Sequence, residues 1–171
     1  QEGSLLGTVT DDTKAVLPGA TVTATVRREE YRPAVEELGA RAIDPEGFDD
    51  HGPYDVILEL VGAGNLAGNL ASLALGGRIS IIGVGGSGPT AEINLLQVMQ
   101  KRARIHGSTL RARPLEQKAA AARLVEKEVL PGFEDGRLTV PVAQTFPLEE
   151  AEQAYDRFQA GGKLGKIVVL P

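Results

Sequence analysis

Two glycine clusters are the first residues whose spacing could do chemistry. Gly62-Ala-Gly64-Asn-Leu-Ala-Gly68 follows the apolar run "YDVILELVG", and Gly83-Val-Gly85-Gly-Ser-Gly88 follows "RISII" at 78–82. Without a Cβ, glycine lets backbone N–H groups come close to a phosphate at a helix N-terminus. The second cluster matches G-x-G-x-x-G by letter. Pro89 follows its last glycine, however, so no helix begins inside it, and no acidic residue ends a following strand to take a ribose hydroxyl. Three readings stand for both clusters. They are turns that let strand and helix pack tightly, a primary pyrophosphate cradle, or secondary contacts to a cofactor.

Arg27 and Arg28 end a strand-like stretch at a position that holds no Asp or Glu. In a dinucleotide-binding fold an acid there takes the free ribose 2′-hydroxyl, whereas Arg suits a 2′-phosphate through charge-assisted bonds. The alternative is a solvated first helical turn, although Arg at a helix N-terminus opposes the macrodipole. The chain has two histidines. His51 lies in a polar loop, and His106 sits in an apolar strand where a satisfied core role is expected. Arg111 and Arg113 follow a strand end and meet phosphate or water. No Ser-His-Asp spacing and no isolated carboxylate pair nominates a catalytic side chain. With no Cys in the chain, disulfides and Cys-ligated zinc are excluded, and no metal site is expected.

The elements that must position these residues alternate. Residues 4–26 read as two short strands around turns, joined by Asp11–Gly19, which is too short for a parallel crossover. Tyr31, Val35 and Leu38 then fall at helical spacing, with Gly39 as the stop. "ARAID" at 40–44 is a strand and "PEGFDDHGP" a loop. The run 54–62 predicts a strand buried on both faces. A helix is expected from 65 to about 75, stopped by Gly76-Gly77. Strands follow at 78–86 and 103–110, with a short helix at 93–101 between them. Pro114 opens a long helix to Val129, "RLTVPVAQTFP" is an irregular strand, and "KIVVL" is the last one. Between these two, a helix carries Leu148, Ala151, Ala154, Tyr155 and Phe158 on one face. Repeated strand–helix alternation means βαβ units and a mostly parallel sheet, an α/β fold.

Composition narrows the class. At 171 residues the chain can bury one sizeable core. A net charge of -5 argues against a general nucleic-acid binder, which needs a basic face. No run reaches the about 20 apolar residues of a membrane span, and no signal peptide is visible.

From about residue 24 to Pro171 the chain resembles the C-terminal part of the medium-chain dehydrogenase/reductases, in particular the zinc-free quinone oxidoreductase branch. The pieces that carry this are "ATVRREE", "LGARAID", "YDVILELVG", "LALGGRISIIGVGG", "RIHGSTLRARPLEQK" and "FPLEEAEQAYDRFQAGGKLGKIVVL". The resemblance implies NADP(H) as cofactor, and a quinone or enone that takes hydride directly from nicotinamide. It places Arg27 and Arg28 at the 2′-phosphate and Val61 and Gly62 near the ribose. It puts Gly83 and Gly85 toward the nicotinamide, Thr109 and Leu110 at the carboxamide, and Lys163 near the cofactor. It also implies a cytoplasmic protein and a homodimer joined through strand 103–110. The family's substrate domain and its first Rossmann strand with the GxGxxG turn do not appear. In their place, "GSLLGTVTDDTKAVLPGATVTATV" resembles the carboxypeptidase-regulatory-like β repeat of TonB-dependent receptors, which alone would imply export.

The expected organisation is a foreign β-hairpin at 1–26, a truncated dinucleotide-binding domain at 27–140 and a strand–helix–strand return at 141–171. The fold expected is a partial Rossmann-like one, with the hairpin completing its sheet. Three functions remain open on the residues: a truncated NADP(H)-dependent oxidoreductase, a nucleotide-binding or interaction module without turnover, and a recombined fold with no activity.

Overall fold

The computed structural model describes residues 19–171. They form two compact units, the first running to Ala112 and the second comprising Arg113–Pro171. The first unit opens with β1 (Thr23–Thr25), α1 (Arg32–Glu37) and β2 (Arg41–Ile43). β1 and β2 pair in parallel, with Ala24 opposite Ala42. Pro33 sits in the first turn of α1, where its missing N–H costs no helical bond. Gly39 ends that turn at φ +90°, as its position in the sequence predicts. Of the expected N-terminal hairpin, Leu5–Thr10 lies outside the described residues. Ala20–Val26 supplies β1, whose observed partner is β2.

The rest of this unit is β3 (Tyr54–Glu59), α2 (Leu66–Ala71), β4 (Leu73–Ile81), α3 (Leu95–Lys101) and β5 (Arg104–Gly107). β3, β4 and β5 lie side by side and point the same way, with Ile57 opposite Ile79 and Ile79 opposite Ile105. Side chains alternate across a strand, so these three share one face. Ile79 is 0% exposed there, and Leu70 and Leu73 are 1% exposed. All strand pairs among the described residues are parallel. The architecture is therefore a partial Rossmann-like α/β fold, its sheet in this unit divided into a two-stranded and a three-stranded piece.

Three expectations are corrected. The helix after residue 65 stops at Ala71 and Leu73 already belongs to β4. The Tyr54 N–H takes the Ser72 carbonyl at 2.8 Å, and the Lys101 ammonium takes the Ala71 and Leu73 carbonyls at 2.7 and 2.5 Å. Tertiary bonds thus capture this backbone against the helical preference of "ASLAL". Pairing jumps from Tyr54–Leu73 to Val56–Arg78, so residues 74–77 bulge out of the ladder. Second, β3 is not buried on both faces: Val56 and Leu58, opposite to Ile57, are about two-fifths exposed because the cover is one-sided. Third, the expected loop at 45–53 contains a turn of 3-10 helix, Phe48–His51.

The second unit holds α4 (Leu115–Glu128), α5 (Leu130–Glu134), β6 (Val142–Pro147), α6 (Ala151–Gln159) and β7 (Lys166–Leu170). β6 and β7 pair in parallel around α6, with Phe146 buried. Of the apolar face expected on α6, only Ala154 is buried. Tyr155 and Phe158 stay more than half exposed and stack on each other at 6.3 Å. No helix of the described residues is long and apolar enough to cross a membrane.

Ile79→Ala should cost about 2–5 kcal/mol of unfolding free energy, read by denaturant titration. Tyr54 joins the sheet to the 48–51 turn by donating its hydroxyl to the Phe48 carbonyl at 3.0 Å. Burial raises its phenol above the ordinary value, with Arg41 opposing in part. The folded state therefore favours the neutral phenol. Its contribution is complete below about pH 10 and is lost as pH rises through the folded value. Tyr54→Phe should cost about 0.5–1.5 kcal/mol at neutral pH and flatten the fall in stability above pH 10.

Candidate functional site

Parallel strands end at one edge, so β3, β4 and β5 deliver their following loops to a common rim. Glu59, the last residue of β3, organises that rim. It is 4% exposed. One carboxylate oxygen accepts the Val61 N–H at 2.6 Å, the Gly62 N–H at 2.8 Å and the Asn65 side-chain amide at 3.5 Å. The other accepts the Asn69 amide at 2.5 Å, and Asn69 is 2% exposed. The Glu59 backbone carbonyl meanwhile takes the N–H groups of Ile82 and Gly83 at 2.9 and 3.1 Å. One residue thus joins the ends of two strands and the helix α2. A buried carboxylate is tolerated because donors surround it.

The two glycine clusters lock into each other. The Gly86 N–H reaches the Val61 carbonyl at 2.9 Å and the Gly64 N–H reaches Ser87 Oγ at 2.6 Å. A Cβ on Gly83 would strike the Leu60 carbonyl oxygen, and one on Gly62 would stand 2.8 Å from Val84 Cα. Gly62 also has φ +117°, a region closed to most side chains. At Gly62, Gly64, Gly68, Gly83 and Gly86 the tight packing expected of a glycine turn is present, whereas a Cβ on Gly88 would meet nothing within 4 Å. No helix starts within 83–88, since α3 begins at Leu95 with Asn94 as its cap, its side chain accepting the Gln97 N–H at 3.1 Å. The G-x-G-x-x-G letters are a loop-to-loop joint.

Two adjoining hollows open on the rim. One, of about 400 Å³, is lined by Ile81, Ile82, Val84, Gly107, Ser108 and Thr109. The other, of about 200 Å³, lies between Glu59, Gly62, Leu66 and Pro89, and Ile81 and Val84 border both. Of the nominated residues, Thr109 lines the larger hollow and Gly62 the smaller; Val61 and Gly83 are tied to the same rim through Glu59, Gly85 lines neither hollow, and Leu110 follows Thr109 at 60% exposure. Arg27 and Arg28 follow β1, at the end of the other sheet piece, and both are exposed. The Arg28 guanidinium reaches Glu30, an acid two residues further along the chain, at 3.3 Å. Lys163 belongs to the second unit, where its ammonium lies 4.5 Å from the Phe158 ring centroid and donates to the Phe158 carbonyl. Arg111 is exposed, and Arg113 begins the second unit.

His51 is exposed, as expected of a polar loop, with its Nδ1 3.3 Å from Arg41. His106 is not a core residue. It is exposed, and its Nε2 lies 3.1 Å from Ser80 Oγ on the adjacent strand, because it shares the uncovered sheet face with Val56 and Leu58. The sequence reading missed Glu59 and Asn69. Their signal was present: an acid inside the apolar run "VILEL", ten residues before an Asn on the next helix.

The family model described as zinc-binding dehydrogenase matches residues 38–169. The chain belongs to this family. Curated relatives include the quinone oxidoreductase of Rattus norvegicus, 33% identical over 117 residues, and that of Mus musculus, 34% identical over 125. These alignments cover 68% and 72% of this chain, and 33% and 35% of the relatives. The chain spans about a third of the length of the curated relatives it matches. Among solved structures, a mycobacterial quinone oxidoreductase aligns with 90% of this chain and 50% of its own, at TM-score 0.72 and 25% identity. A mycobacterial protein solved with NADPH aligns at TM-score 0.72 and 23% identity, covering 90% of this chain and 49% of its own, a likeness of fold. The family's description names zinc. Among the described residues no three metal-ligating side chains gather, and the chain offers no thiolate. The described donor set does not fit that ion.

Gly83→Ala should destabilise the protein by about 1–3 kcal/mol, because its new methyl meets backbone that other bonds hold in place. Gly107→Ala, whose Cβ would meet nothing nearer than the Ile81 carbonyl at 4.0 Å, should come within about 0.5 kcal/mol of wild type. Paired denaturation curves check the contrast.

Proposed function

We propose that this chain is the nucleotide-binding part of an NADP(H)-dependent oxidoreductase that reduces a quinone or enone. One observation carries the reading. Three parallel strands end together, and beside their ends lie two adjoining, mostly apolar hollows, one lined by Thr109 and the other by Gly62, with Ile81 and Val84 bordering both. This is where open α/β sheets take ligands. The relatives named quinone oxidoreductases support the choice of acceptor.

In this reading NADPH supplies the hydride. Gly83 and Gly85 leave the nicotinamide side free of side-chain bulk, Thr109 and Leu110 flank the carboxamide, and Val61 and Gly62 face the ribose. Arg27 and Arg28 take the 2′-phosphate. Their exposure after β1 suits an anion that arrives from solvent, and the Arg28–Glu30 pair is exposed enough to exchange for it. Lys163 is assigned to the cofactor by family resemblance. No side chain is assigned a proton-transfer role. Two copies would meet through β5, the end strand of the described three-stranded piece.

The test is a titration with NADPH and NADH, followed by nicotinamide fluorescence, on wild type and on Arg27→Ala/Arg28→Ala. The double variant should weaken NADPH by about tenfold or more while leaving NADH within about twofold. Equal losses would remove the 2′-phosphate assignment, and a flat signal for wild type at millimolar NADPH would remove the whole reading. Binding without NADPH oxidation in the presence of quinone would leave a module that holds the nucleotide but turns nothing over.

A further inference from the structure

From Val61 to Leu66 every backbone N–H of the loop after β3 already has a partner within the chain. The Val61 and Gly62 N–H groups go to Glu59, Ala63 to the Gly88 carbonyl at 3.5 Å, and Gly64 to Ser87 Oγ. The Asn65 N–H goes to the Gly62 carbonyl at 3.2 Å, and Leu66 to that of Ala63. A phosphate cradle needs the reverse: N–H groups that converge on an open point, with no negative charge behind them. Here the converging N–H groups already hold a carboxylate, buried at 4% exposure. It therefore acts as a built-in anion in the position a phosphate would want, and repels a second one at short range.

We infer that Glu59 is the positioning residue of the rim. It shapes the Val61–Leu66 turn and closes it to phosphate. The inference rests on the nucleotide reading above and deepens it. In that reading the diphosphate of NADPH is held away from this turn. Glu59 touches no reacting atom. It acts through the backbone of Val61 and Gly62, and Asn69 holds its second oxygen in place.

The full-length chain is titrated with inorganic pyrophosphate and, separately, with NADPH. Amide resonances of Gly62 and Gly64 are followed together with nicotinamide fluorescence. Millimolar pyrophosphate should leave both amides in place in the wild type. Glu59→Gln keeps one oxygen on the two amides but sets its side-chain NH2 against that of Asn69. NADPH affinity should fall by about tenfold. Adding Asn69→Asp exchanges donor and acceptor, and affinity should return to within about threefold of wild type. Ile79→Ala, destabilised away from the rim, should keep wild-type affinity when measured well below its melting temperature. Pyrophosphate-induced shifts at Gly62 or Gly64, or full NADPH affinity in Glu59→Gln, would overturn the inference. Failure of wild type to bind NADPH would sink the nucleotide reading and with it the ribose assignment. Shifts under pyrophosphate with NADPH binding intact would sink this inference alone.

Discussion

A carboxylate in a nearly dry site is the constraint around which the first unit is organised. Glu59 cannot be buried unless donors meet it, and the chain provides them from three directions: two backbone amides just ahead of it and the Asn65 and Asn69 side chains. Each donor is also a placement. Holding the Val61 and Gly62 amides bends the chain sharply out of β3. Holding Asn69 fixes where α2 lies over the sheet. The Glu59 carbonyl, taking Ile82 and Gly83, sets where β4 leaves the ladder. If the carboxylate lost its donors, the desolvation cost would fall on the same residues that shape the rim.

The glycines follow from this constraint. Once both loops are tied to Glu59, they must pass within van der Waals distance of each other, and at Gly62 and Gly83 no side chain fits. What looks in the sequence like a motif for phosphate is in the fold a pair of loops sharing one space. The Gly64 and Gly86 amides are used in that joint, and the apolar hollows beside Ile81 and Val84 open next to it.

The covered sheet face shows how burial and polarity divide the labour. Ile57, Ile79 and Ile105 run across the three strands at matched register, and Glu59 shares their face one step further on. The opposite face keeps Val56 and Leu58 partly exposed and carries the Ser80–His106 pair. That asymmetry explains why a nearly continuous apolar run gave the wrong expectation of two buried faces. Periodicity reports a preference for burial, and only the number of covering elements decides how much of it is met.

The sequence by itself determined the order of the main strands and helices, their parallel pairing and the rim at which the loops after β3, β4 and β5 emerge. Those depend on patterns of a few neighbouring residues: apolar runs for β3, β4 and β5, Pro114 opening α4, and Gly39 closing α1. The family resemblance was legible for the same reason. Only the tertiary structure decided that α2 ends at Ala71, because Tyr54 and Lys101, far apart in the chain, claim the carbonyls there. It also decided that the glycine clusters are a joint, that His106 is exposed, and that one glutamate anchors the rim. Each of these turns on a hydrogen bond or a contact between residues distant in sequence, whose distance and burial exist only once the chain is folded.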